Sequence, residues 1–136
     1  MTWEYQGNPI TKPLDKAEGF IYLIYFKDGT KYLGKKSFWA RRRKAIKGSL
    51  RKKVEVTESD WRTYRGSSEL SKEKAKKGLV EKLEILHFCD SKGCLQFMEL
   101  SEMVHRRVLC DPSYLNGNIL LKIYKCFEPM PIKGNG

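Results

Sequence analysis

The chain is poor in the features that mark export, membrane insertion or metal scaffolding. Its four cysteines, Cys89, Cys94, Cys110 and Cys126, form no CxxC pair, which argues against a disulfide framework and fits reduced thiols in a cytoplasm. His87, Cys89 and Cys94 lack the tight ligand pairs of structural zinc sites, and Cys89 and Cys110 read better as small hydrophobes at element ends. No apolar run approaches membrane-spanning length, and Met1 to Pro9 has no apolar core of the signal-peptide kind. A secreted or membrane-spanning protein is therefore not expected. No internal repeat or domain linker is visible in these residues, and no appended helix-turn-helix or zinc finger is expected. Acid is in short supply: 16 Asp and Glu face 27 Lys and Arg, a net charge of +11. Such an excess favours polyanions and salt-dependent binding to phosphate backbones. The basic runs carry no sustained apolar helical face, which disfavours an anionic membrane as the partner.

What is present begins with a hairpin. Phe20 to Phe26 is a run of aromatic and β-branched residues, and Lys27-Asp28-Gly29 returns the chain into Thr30 to Gly34. Two registers compete. A two-residue Asp28-Gly29 loop pairs Lys27 with Thr30 and puts Tyr22 and Tyr32 on opposite faces. A three-residue loop with Gly29 left-handed pairs Phe26 with Thr30, sets Tyr22 against Gly34, and brings both tyrosines to one face.

The 136 residues suffice for one domain that buries roughly two-thirds of its unfolded surface. Residues 1–18 read as an irregular arm, with Pro9 and Pro13 opposing regular structure. Ser37 can cap a helix from Phe38 to about Lys47, and the basic stretch 49–58 reads as a loop lying along a nucleic acid. Asp60 to Tyr64 suggests one helical turn. Ser67 or Ser68 starts a helix to Lys77 that Gly78 stops. Leu79 to Phe88 fits a third strand and Leu95 to Leu109 a further helix, whose buried stripe is Phe97, Leu100, Val104 and Val108. Asn116-Gly117-Asn118 turns the chain into an apolar stretch, Ile119 to Phe127, and residues 128–136 form a flexible tail. The order is α+β: a small three-stranded antiparallel sheet, opened by a hairpin and flanked by helices, with residues 19–127 as the single domain.

Gly19-Phe20-Ile21-Tyr22 and, ten residues on, Tyr32-Leu33-Gly34 together resemble the signature of the GIY-YIG nuclease family. The resemblance extends over roughly residues 19–120 and implies the same α+β fold. It also decides the register, because an active site built on both tyrosines needs them on one face, as the longer loop provides.

Helix geometry and the resemblance meet at Arg42. Phe38, Trp39, Ala45 and Ile46 would share one face of the first helix with Arg42 near its centre, and an arginine among apolar neighbours is costly unless it meets an anion. The resemblance implies that this arginine holds the scissile phosphate. Many members carry a histidine one turn later, whereas Ala45, Ile46 and Lys47 stand here. Leu95 to Glu99 resembles the segment that ends in the family's metal-binding glutamate. The resemblance alone lifts Glu99, with Glu102 in reserve, above an ordinary solvated carboxylate. Asn116 resembles the family's terminal asparagine and is equally ordinary turn chemistry. Tyr64 to Ser68 looks like a segment of phage-encoded members whose amides and hydroxyls could hold a phosphate. Around these, Lys35, Lys36, Arg41, Arg43, Lys47, Tyr64, Ser67 and Ser68 are candidates for nucleic-acid contact.

The expectation is a phage-encoded DNA endonuclease, for homing or host-DNA degradation, working in the host cytoplasm. It would use Mg²⁺ or Mn²⁺ on Glu99 and leave 5′-phosphate and 3′-hydroxyl ends, without a small-molecule cofactor. Tyr22, or a water held by Tyr22 and Tyr32, would deprotonate the attacking water. Specificity would come from loops, the arm or a homodimer. The rival reading is a basic DNA- or RNA-binding module on the same fold that no longer cuts.

Overall fold

Residues 19–26 are apolar on both sides, as suits a strand covered on both faces. In the computed structural model, which describes residues 1–119 and 123–124, this segment is the central strand β3, Gly19–Phe26. To introduce the rest in chain order, β1 is Glu4–Tyr5, β2 Asn8–Pro9, β4 Lys31–Ser37, β5 Trp39–Ala45 and β6 Lys52–Glu58. Helix α1 is Glu69–Lys76, β7 Val80–Cys89, α2 Lys92–His105, β8 Asn118–Ile119 and β9 Ile123–Tyr124. The main sheet has five strands in the order β2-β1-β7-β3-β4.

The register of the first hairpin is that of the longer loop: Tyr22 pairs with Gly34 and Ile24 with Tyr32. Phe26 N–H donates to Thr30 O at 2.9 Å, and Gly29 N–H donates back to Phe26 O at 3.0 Å. Gly29 sits at φ +87°, the left-handed conformation this loop requires. Asp28 explains why the longer loop wins. Its carboxylate accepts from Thr30 N–H at 3.0 Å and from the Thr30 hydroxyl at 2.6 Å, and an ion pair with Lys74 ties it to α1.

Alternation along β3 divides the interior into two cores. Phe20, Tyr22, Ile24 and Phe26 pack with Tyr32, Trp3, Phe38, Trp61, Leu83 and Ile85 on one face. Ile21, Leu23 and Leu33 pack with Leu95 and Met103 of α2 and with Val108, Tyr114 and Ile119 on the other. The α+β class holds, but the sheet is mixed and larger than three strands. The difference lies in residues 1–18: Trp3 is fully buried, its Nε1–H donates to Trp61 O at 2.8 Å, and β1 joins β7 in parallel pairing. An aromatic anchor outweighs the two prolines.

The largest departure is residues 38–58. The expected helix 38–47 and loop 49–58 are instead the strands β5 and β6, an antiparallel ribbon that among the described residues pairs only with itself. Ser37 does not cap a helix: its hydroxyl donates to Glu18 O at 3.1 Å, and Phe38 N–H donates to the same carbonyl at 2.8 Å. Trp39 Nε1–H donates to Ala17 O at 3.0 Å. These bonds hold the chain extended at its root, and the β-branched Val54, Val56 and Thr57 supply the pairing strand.

Helix α1 behaves as expected, capped by the Ser68 side chain, which accepts from Ser71 N–H at 3.0 Å, and followed by Gly78 at φ +72°. The turn at Asp60 also forms, with Tyr64 N–H donating to Asp60 O at 3.0 Å. Helix α2 exists, but its expected buried stripe does not. Phe97 and Val104 are 67% and 61% exposed, while Leu95 and Met103 point inward. The helix ends at His105 and Arg107 turns left-handed at φ +51°, so Val108 is buried from outside the helix and does not mark its face. The tail 128–136 and most of the stretch Ile119 to Phe127 lie outside the described residues.

Candidate active site

Leu95, Glu99 and Met103 stand four residues apart and so share one face of α2. Since Leu95 and Met103 are buried, the Glu99 carboxylate is drawn inward between them, with a side-chain exposure of only 17%. It lines a cleft of about 350 Å³ together with Tyr32, Ser67, Ser68, Met103, Asn116, Gly117 and Asn118. Five residues picked out in the sequence, Tyr32, Ser67, Ser68, Glu99 and Asn116, thus converge from four separate segments. They meet around β4, the edge strand of the sheet, where its two faces can be reached from one side.

Burial raises the Glu99 carboxyl above the usual carboxylate range, against the opposing pull of the Lys35 ammonium and backbone N–H. Lys35 Nζ lies 4.0 Å away and is itself 40% exposed, a loose partner. Glu102 differs. Its carboxylate is held by His87 at 2.7 Å and Arg106 at 2.8 Å. Burial works against its charge, yet these two bonds keep its carboxyl below the ordinary range. Glu102 is committed to a structural ion cluster; Glu99 faces open space.

The two tyrosines share a face but not an exposure. The Tyr32 hydroxyl reaches the cleft and shares a 2.6 Å hydrogen bond with the Ser67 hydroxyl. Tyr22 is 1% exposed and lies behind it, its ring 6.3 Å from that of Tyr32 and 6.0 Å from that of Tyr64. Burial pushes the Tyr22 phenol well above its ordinary value, with neighbouring Tyr64 and Tyr32 adding to the effect, and burial raises Tyr32 as well. Both shifts favour the protonated phenol. Gly66, at φ +97°, lets the loop before α1 pass close over Tyr32: a Cβ there would sit 3.1 Å from the Tyr32 ring.

Asn116 is 3% exposed and fully engaged. Its Nδ2–H donates to Leu33 O at 2.8 Å and its Oδ1 accepts from Leu33 N–H at 3.0 Å. The carboxamide imitates a neighbouring strand and fixes the β4 edge beside Glu99, a positioning part. Replacing it with alanine leaves both Leu33 groups unpaired, an expected loss of about 2–4 kcal/mol in denaturant unfolding. Aspartate should be worse, because a carboxylate oxygen would face the Leu33 carbonyl.

Arg42 does not line this cleft. It stands on β5 opposite Glu55 and is exposed, with Arg43 and Lys47 also on the ribbon. The apolar helix face that singled it out is absent, since Ile46 is 43% exposed and Phe38 is buried at the ribbon's root. Arg41 makes a two-pronged bond to Glu18, at 2.6 and 3.1 Å. Lys36 pairs with Asp60 at 2.7 Å and lies 4.3 Å over the Tyr64 ring. Glu18, 7% exposed, was not singled out in the sequence. Its one signal is an acid placed immediately before a wholly apolar strand.

Residues 3–119 match a family model described as "Putative endonuclease segE, GIY-YIG domain". No curated protein and no solved structure matches the chain.

Proposed function

Because the chain belongs to the GIY-YIG nuclease family, we propose that the Glu99 cleft hydrolyses DNA phosphodiester bonds with the help of a divalent cation. The observation that carries this reading is Glu99 itself, an inward carboxylate on an otherwise apolar helix face, raised by burial although the Lys35 backbone N–H and the loosely placed Lys35 ammonium pull the other way. Keeping such a group costs stability, so a role in binding is the economical explanation.

The donor set fits a cation of the Mg²⁺ or Mn²⁺ class. Glu99 gives one carboxylate and Tyr32, Ser67 and Asn118 give neutral oxygens around a cleft of about 350 Å³. Among the described residues no group of three acidic, His or Cys side chains forms, so water and phosphate oxygens would complete the shell, as magnesium tolerates. When bound, the ion supplies positive charge beside the scissile phosphate and the leaving oxygen. Glu99 would hold it. Lys35, loosely placed at 4.0 Å from Glu99, can turn its ammonium toward non-bridging oxygens. The Tyr32 and Ser67 hydroxyls, protonated and mutually bonded, orient water rather than deprotonate it. Tyr22 supports Tyr32 from behind. Arg42, on β5 opposite Glu55, lies outside the lining of this cleft.

Products with 5′-phosphate and 3′-hydroxyl ends, a phage origin, and a homing or host-degrading role all belong to this proposal, resting on the family's precedent. Purified protein incubated with plasmid and genomic DNA, with and without Mg²⁺, tests it. Nicked or linear products that disappear with a chelator are expected. Salt-dependent binding with no metal-dependent product would establish instead a module that grips without cutting.

A further inference from the structure

We propose that the β5–β6 ribbon is a docking arm that enters the major groove of duplex DNA; the partner rests on the nuclease reading, the groove on the ribbon itself. The ribbon contributes nothing to either core beyond its root: almost every residue of Trp39–Ala45 and Lys52–Glu58 is exposed. A two-stranded hairpin is marginal on its own, and here the root alone is anchored. Arg41 bonds Glu18, Trp39 bonds Ala17 O, and Ser59 N–H donates to Phe38 O at 2.8 Å.

Charge selects the occupant. Arg42, Arg43, Lys47, Arg51, Lys52 and Lys53 form no ion pair among the described residues, while the acids Glu55 and Glu58 are both paired, with Lys44 and Arg62. A surface this cationic repels a second copy of itself and suits a polyphosphate. Shape narrows the choice. Seven residues in each strand give a length of about 20 Å, and a two-stranded ribbon fits a B-form major groove about 12 Å wide. The A-form major groove of duplex RNA is too narrow to admit it.

The two faces differ in chemistry. One carries Arg43 beside Val54 and Val56, which are 51% and 53% exposed. A guanidinium fork and aliphatic methyls are what guanine and thymine edges accept in the major groove. The other face carries Arg42 and Lys53 with the Lys44–Glu55 pair, suited to phosphates. The arm would therefore supply affinity and some sequence preference at a distance from Glu99.

The test uses the full chain with Glu99→Gln, so that duplexes are bound and not cut, with and without Arg42→Ala, Arg43→Ala, Lys52→Ala and Lys53→Ala together. Titrations at several salt concentrations should show at least about tenfold weaker binding and a salt slope lower by about 3 to 4, with unchanged Tm. Methylation at guanine N7 should interfere with binding of the intact ribbon and cease to do so in the fourfold variant. A slope change below about one unit overturns the proposal. Interference confined to adenine N3 overturns the groove, and equal affinity for duplex RNA overturns the partner. A dimer by sedimentation that the fourfold variant abolishes, with DNA affinity unaltered, would make the ribbon a contact between copies. Loss of metal-dependent cleavage as a function would leave these binding results unaffected, so the two readings fail separately.

Discussion

Glu99→Gln should reduce cleavage by at least about a hundredfold while DNA affinity stays within about twofold of the parent and the protein becomes no less stable. The three outcomes follow from one environment. Burial between Leu95 and Met103 holds the folded-state pKa of this carboxyl above its unfolded value. The folded protein therefore binds more protons than the unfolded chain in the window between those two values. Stability contributed by this group is highest below the unfolded pKa and falls as pH rises through the window. At neutral pH the ionised carboxylate is a net cost. Glutamine keeps the shape and removes the charge, so the Tm should equal or exceed that of the parent, and its fall between acid and neutral pH should flatten. Cleavage depends on the charge and should go. Single-turnover rates, a binding titration and thermal unfolding at several pH values check all three. Full activity in Glu99→Gln, or a Tm several degrees below the parent at pH 7, would remove Glu99 from the role assigned to it.

Gly34→Ala should cost about 2–3 kcal/mol and disable cleavage along with it. Tyr22 on β3 is the direct cross-strand partner of this residue, and its ring is pressed against β4. A Cβ at position 34 would stand 2.6 Å from the Tyr22 Cζ, and closer still to the hydroxyl. The ring cannot swing away, because Trp3, Phe20, Tyr32 and Tyr64 enclose it. Relief must come from β4 itself, the strand that carries Tyr32 to the cleft and Lys35 to the side of Glu99. Gly29→Ala makes a useful contrast. No atom lies within 4 Å of its added Cβ, and only the φ of +87° opposes it, so roughly 1 kcal/mol and near-normal cleavage are expected. Denaturant unfolding with matched cleavage assays separates them. A Gly34→Ala protein as stable as the parent would show that the tyrosine pair tolerates displacement.

The parts of the fold that the sequence disclosed are those where a local pattern and a distant requirement coincide. The hairpin register followed from parity once both tyrosines had to share a face, and Asp28 supplied a local bond in support. Helix α1 is announced by Ser67-Ser68 and Gly78 and α2 by the pattern after Leu95, whereas the Ser91 cap that starts α2 at Lys92 is a feature of the structure. The ribbon is not announced, because Ala40 to Lys47 is rich in good helix formers and its pairing strand is fixed only by bonds at its root. The face of α2 was misjudged because the helix stops before Val108. The stripe Phe97, Leu100, Val104 and Val108 would leave Glu99 outside, whereas its neighbours on the i±4 line, Leu95 and Met103, are the buried ones. Its selection came from resemblance, and its physical reason became visible only with α2 in place.

Along the outer edge of β4, Lys31 N–H donates to Ser113 O at 2.8 Å, Leu33 is closed off on both groups by Asn116, and the Lys35 N–H is turned toward Glu99. An uncovered edge of this length would invite a strand from another molecule. The groups that assemble the cleft are thus the same groups that stop the sheet from recruiting neighbours. Changes that loosen residues 113–118 should therefore be read first in the solubility of the protein, as growth of β-rich aggregates, and then in its activity. Chemistry and protection against self-assembly occupy a single edge.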